Sequence, residues 1–207
     1  MKYGSLLLYI MLCFCLSSCR SDSYKSSASQ DFEPVACLDI NHKALNDRQW
    51  QAIKAAASDV CGIFHSSEFQ SRLNNKLWLA SCEKVKGKPD SVTGPEIYKL
   101  LTEKRQRFCI YARKLHDAEG ETDNDDNNPN NNRISIDPAL IEGWYSPIDT
   151  QRSQLINVIA HEYVHLLSDR FLDYDDNAPT GCSDDILISY NTGDIAEAIW
   201  LDKHRRK

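Results

Sequence analysis

Two histidines and a glutamate stand inside an almost wholly apolar run, Leu155, Ile156, Asn157, Val158, Ile159, Ala160, His161, Glu162, Tyr163, Val164, His165, Leu166, Leu167. Imidazoles and a carboxylate in such a setting need partners, because burying them unpaired is costly. On a helix, His161 and His165 lie about 40° apart in projection and one turn apart along the axis, the geometry in which two imidazoles converge on one metal ion. Glu162 falls on the adjoining face, placed to act as a base toward a water at that ion without being a ligand. Together these residue types can carry out metal-assisted hydrolysis. A tetrahedral catalytic zinc also requires a third protein ligand and one open position.

HEYVH at 161–165 is an HExxH pattern and resembles the active-site helix of zinc metallopeptidases. In metzincins the third ligand is a His six residues beyond the second, with a Gly between. Position 171 is Phe and position 168 is Ser, which excludes that class. Downstream, Thr192, Gly193, Asp194, Ile195, Ala196, Glu197, Ala198, Ile199 resembles the glutamate helix of thermolysin-like gluzincins. The resemblance spans about residues 133–202 and implies a zincin-like α+β fold, a small sheet packed on the buried HExxH helix and a C-terminal glutamate helix. It implies zinc as cofactor, a peptide or protein as substrate, His161, His165 and Glu197 as metal ligands, and Glu162 as general base. Asp169, four residues beyond His165, is a candidate to support the zinc site from outside the ligand set.

The competing third ligand is Asp194, expected in the first turn of the same helix, where capping and the dipole already account for a carboxylate. Glu197 is flanked by Ile195, Ala196, Ala198, Ile199 and Trp200, an apolar setting that calls for a cation. Tyr190, in the expected loop before the glutamate helix, is the first candidate to stabilise an oxyanion, and Tyr174 the second. The family's Asp four residues after the ligand Glu is Leu201 here, with Asp202 one step off, and Lys207 follows closely, so the likeness is to a minimal gluzincin. His204 sits two turns beyond Glu197, roughly 10 Å along the axis, and is not counted as a ligand.

The elements that must position these residues can be read from pattern. Asn46 or Asp47 caps a helix with Trp50, Ile53, Ala57, Val60, Cys61 and Phe64 on one face. Residues 76–80 read as a short strand, and Thr93, Gly94, Pro95, Glu96 open a short helix through Leu101. Phe108–Ala112 and Arg133–Asp137 read as strands, the second with Ile134 and Ile136 on one side and with an edge able to pair with an extended peptide. The acidic, Asn-rich stretch between them reads as a solvated loop. Asp123, Asp125 and Asn127 alternate within it, but Asn128 and Ile134 replace the Gly and Glu that a calcium loop of the EF-hand type requires. Ser146 as cap and Pro147 in the first turn start the active-site helix, which is expected to reach about Arg170.

The chain of 207 residues carries 24 Lys and Arg against 30 Asp and Glu, a formal charge of −6, so no global basic field favours nucleic acid as a partner. Lys2 precedes the apolar run Leu6–Leu16, which has the length of a signal-peptide core rather than of a membrane span. Leu16, Ser17, Ser18, Cys19 resembles the lipobox of bacterial lipoproteins, which implies cleavage after residue 18 and lipidation of Cys19. Arg20, in place of the Asp that commonly retains such proteins in the inner membrane, points to the outer membrane, facing the periplasm. The expected organisation is a signal peptide at 1–18, a lipid anchor and Ser-rich tether at 19–34, and a single domain at 35–207. Of the 8 Cys, Cys37, Cys61, Cys82, Cys109 and Cys182 fall in that domain, so at most two bridges form there, with pairing left open.

The expected function is that of a zinc-dependent endopeptidase anchored in a bacterial cell envelope. The alternative is a catalytically inactive zincin-like lipoprotein that binds a protein or envelope component, against which the intact Glu162 argues.

Overall fold

The computed structural model describes residues 33–35, 38–83, 91–103, 107–116, 118–123, 132–167, 171, 173, 181–183 and 186–205. The expected signal, Cys19, most of the tether and Cys37 lie outside the described residues. In chain order the elements are β1 (Glu33–Val35), β2 (Leu38–Lys43), α1 (Asp47–Phe64), α2 (Ser67–Asn74), β3 (Leu77–Leu79), α3 (Ala80–Glu83), β4 (Ser91–Thr93), α4 (Gly94–Glu103), β5 (Arg107–Ala112), β6 (Gly120–Asp123), β7 (Arg133–Ile136), α5 (Pro138–Gly143), α6 (Asp149–His165) and α7 (Ile188–Arg205). The architecture is α+β.

The first helix follows directly from local chemistry. Asn46 Oδ1 accepts from Gln49 N at 2.9 Å and Gln49 Oε1 accepts from Asn46 N at 3.2 Å, a reciprocal cap that satisfies two donors otherwise left open. The face read from the sequence, Trp50, Ile53, Ala57, Val60, Cys61 and Phe64, is buried in the core.

A five-stranded sheet runs in the order β1-β2-β5-β7-β6, and β3 and β4 form a separate antiparallel pair. β2, β5 and β7 are mutually parallel, with Ile40 opposite Phe108 and Ile110 opposite Ile134, all buried. β7 is therefore an inner strand, not the edge expected of RISID. The edge is β6, antiparallel to β7 with Gly120 opposite Ile136, in a stretch expected to be loop. Its residues, Gly-Glu-Thr-Asp, carry no apolar signal, because β6 is held by backbone pairing and by the contacts of the Thr122 hydroxyl with Glu162 on α6 rather than by a buried apolar stripe.

α6 packs on β6 and β7 and makes its most extensive contact with α7. It begins at Asp149, not at Ser146, whose Oγ instead accepts from Ile148 N at 3.1 Å in the preceding turn. It ends at His165, short of the expected Arg170, where Leu166 N and Leu167 N bond back to Tyr163 O and Val164 O. α7 begins four residues before Thr192, so Tyr190 lies within the helix and Asp194 in its second turn, which corrects the placement of both. Cys82 is bonded to Cys182, and Cys61 and Cys109 are also disulfide-bonded.

Candidate metal centre

From Leu155 to Val164, α6 is buried nearly all round, with Leu155, Ile156, Ile159, Ala160, Tyr163 and Val164 in the core, so the His and Glu side chains of this stretch must find partners within the protein. His161 Nε2 and His165 Nε2 lie 3.2 Å apart. Asp173 Oδ2 lies 2.8 Å from the first and 3.2 Å from the second. These separations approach the edge of a tetrahedron about a zinc ion, roughly 3.3 Å for metal–nitrogen bonds of about 2.0–2.1 Å. Two Nε2 atoms and a carboxylate oxygen in mutual contact also require a shared proton or a metal ion among them.

The surroundings orient the three donors inward. His165 Nδ1 is 2.5 Å from Phe171 O, and because a carbonyl can only accept, the ring proton sits on Nδ1 and leaves the Nε2 lone pair toward the centre. Asp173 Oδ1 accepts from Ser189 Oγ at 2.6 Å, which turns Oδ2 toward the histidines. Burial alone would raise the Asp173 pKa, but hydrogen bonds to His161 and His165 and their charge hold it well below the usual carboxylate range. Burial pulls the His165 pKa down, and the bond to and charge of Asp173, with the charge of Glu162, carry it above the ordinary histidine value.

Glu162 is 5% exposed, and burial raises its pKa against the opposing pull of His161, His165 and Thr122. Its Oε2 accepts from Thr122 Oγ1 at 2.7 Å, a contact made across from the edge strand β6. Position 120 on the same strand must be glycine, since a Cβ there would overlap Glu162 Oε1 and come within 2.7 Å of Val158 Cγ1. Glu162, His161, Asp173 and Tyr190 line one cleft of about 700 Å³, bordered by Gly120 on the β6 side.

The carboxylate that the structure brings to the two histidines is Asp173, and Glu197, the expected ligand, lies elsewhere. The cause is helix register. α7 runs antiparallel to α6, so Tyr190 meets His161, Gly193 meets Asn157 and Glu197 meets Ser153. Ser153 lies eight residues before His161, about 12 Å along the axis, which takes Glu197 out of reach. The need of Glu197 for donors is real but is met by Ser153 Oγ at 2.6 Å and Asn157 Nδ2 at 2.8 Å. Asp194 Oδ1 shares that Asn157 amide at 3.2 Å, so neither carboxylate joins the histidines. Both line the cleft farther along.

Tyr190 stands edge-on to His161, with ring centroids 4.6 Å apart. His204 stacks on Trp200 and bonds its carbonyl, away from the site, and Asp202 pairs with Arg72. Asp169 and Tyr174 lie outside the described residues, as does most of the Asp123–Asn127 stretch. Sequence reading missed Asp173, Ser189, Thr122 and Gly120. A signal for Asp173 was present in the acid-rich run after Phe171, but no local pattern singles out the one carboxylate of that run that meets the histidines. No protein-family model, curated protein or solved structure matches the chain, so the chemistry of the site rests on its own residues.

Proposed function

We propose that this protein is a zinc-dependent peptide-bond hydrolase of zincin-like type, anchored by a lipid on Cys19 in a bacterial cell envelope. The observation that carries the reading is the convergence of His161, His165 and Asp173, with the carboxylate of Glu162 beside them at the head of an open cleft. Two neutral nitrogens and one carboxylate are a donor set suited to zinc, and three protein donors leave the fourth position that catalysis needs.

Zinc held there would supply Lewis-acid polarisation of a scissile carbonyl and would acidify the attacking water. Glu162 would take a proton from the attacking water and pass it to the leaving amine, a role that its burial, by raising its proton affinity, suits. Thr122 fixes one carboxylate oxygen of Glu162, and Gly120 leaves space for the other. Tyr190, on the cleft wall, is the candidate donor to the oxyanion. β6 has one neighbouring strand among the described residues, so an extended peptide can lie along its other edge above α6. Glu119, Asp194 and Glu197 line the cleft, with no Lys or Arg among the described lining residues, which favours peptides bearing cationic side chains.

The test is metal analysis together with cleavage of a mixed fluorogenic peptide library. Wild type is expected to hold one zinc per chain and to cleave. Glu162→Gln should keep the metal and lose about 10²–10⁴-fold in turnover. Zinc bound by a wild type that cleaves nothing would favour the non-catalytic lipoprotein instead.

A further inference from the structure

Three successive residues at the start of α7 brace the site without being metal donors. Ile188 N donates to Glu83 Oε1 at 2.8 Å, Ser189 Oγ donates to Asp173 Oδ1 at 2.6 Å, and the Tyr190 ring stands against His161. Glu83, the last residue of α3, is fully buried, and its Oε2 has no hydrogen-bond partner among the described residues. Desolvation raises its pKa to about 7, against the pull of the Ile188 amide. Such a carboxyl group does not choose this place for its own solvation. Its neighbour Cys82 is bonded to Cys182, six residues before Ile188, and Leu187 forms a small buried cluster with Cys82 on which Cys182 and Tyr190 pack.

We propose that the Cys82–Cys182 bridge and Glu83 act as a clamp that sets the metal affinity of the site, by fixing the first turn of α7 so that Ser189 and Tyr190 hold Asp173 and His161. The inference rests on the metal reading above and deepens it. Asp173 lies in neither helix nor strand, so its carboxylate is aimed only by what it touches, and among the described residues Ser189 hydrogen-bonds it from a regular element other than α6. Helix ends open more readily than helix middles, so an outer partner on a first turn is only as firm as that turn. Glu83 supplies the missing acceptor there, and the bridge ties α3 to the segment entering α7 across 100 residues of sequence. Affinity and redox state are then linked in both directions, because whatever the closed bridge adds to metal binding, bound metal adds to the closed bridge.

The test titrates zinc into the mature chain against a chromophoric chelator, with circular dichroism on the same samples. The Cys82→Ser/Cys182→Ser double variant and Glu83→Leu are expected to bind zinc about 10–100-fold more weakly than wild type with unchanged dichroism. Glu83→Gln, which keeps an acceptor for the Ile188 amide, should bind as wild type does. Equal affinity in wild type, the double variant and Glu83→Leu overturns the clamp and leaves the metal centre standing. No zinc bound by wild type overturns the metal reading and the clamp with it. If the double variant does not fold, the wild-type bridge is reduced in a thiol–disulfide buffer, which opens it to two thiols while oxidising the buffer thiol, and Cys82 is followed by mass spectrometry with and without zinc. A tenfold coupling lowers the potential of the bridge by about 30 mV when zinc is present, and an unshifted potential overturns the proposal.

Discussion

A carboxylate joins a cluster by position, not by need, and Asp173 and Glu197 separate the two. Glu197 sits among apolar neighbours and takes donors from Ser153 and Asn157, whereas Asp173 is a third exposed at its side chain yet meets both histidines. The histidine pair and Glu162 were legible because their relation depends only on the period of one helix. Asp173 was not legible as their partner, because it lies beyond the end of α6, where no helical period relates it to the histidines. Asp173→Ala is therefore expected to weaken zinc binding by more than the 10–100-fold typical of losing an outer partner, while Glu197→Gln keeps wild-type affinity. Chelator competition measures both, and the reverse ranking would return the ligand role to Glu197.

Elements were legible where local chemistry and burial agree. α1 has its reciprocal cap and an apolar stripe, and β5 and β7 alternate or run apolar, so their places follow from pattern. β6 has neither signal, and it is the element that brings Thr122 to Glu162 and Gly120 to the cleft. The register of α7 on α6 was equally hidden, since it depends on Gly193, where a Cβ would stand 3.1 Å from Asn157 O. If β6 both borders the substrate and aims the base, Thr122→Val, nearly isosteric, should cut kcat by up to about 10²-fold through misplacement of Glu162. Zinc content and KM should stay at wild-type values, and Thr122→Ser should restore most of the rate. A wild-type kcat in Thr122→Val would mean that Glu162 is aimed by other contacts.

At the scale of the whole molecule, the proposed site and the proposed address meet through the tether. Without residues 1–18, which contain only Lys2 as a charged side chain, the formal charge moves from −6 to −7, so an anionic lipid surface repels the domain. No helix among the described residues is long and apolar enough to cross a membrane. In the proposed anchoring, residence at the envelope would depend on acyl chains on Cys19, at about 0.8 kcal/mol per buried methylene. Cys19→Ser should therefore remain unprocessed, whereas a chain starting at residue 20 behind a cleavable signal should appear in the soluble envelope fraction with its zinc content intact. Fractionation and metal analysis of the two variants decide the matter. A wild-type chain that is itself soluble in the envelope would remove the anchor from the proposal and leave the metal centre untouched.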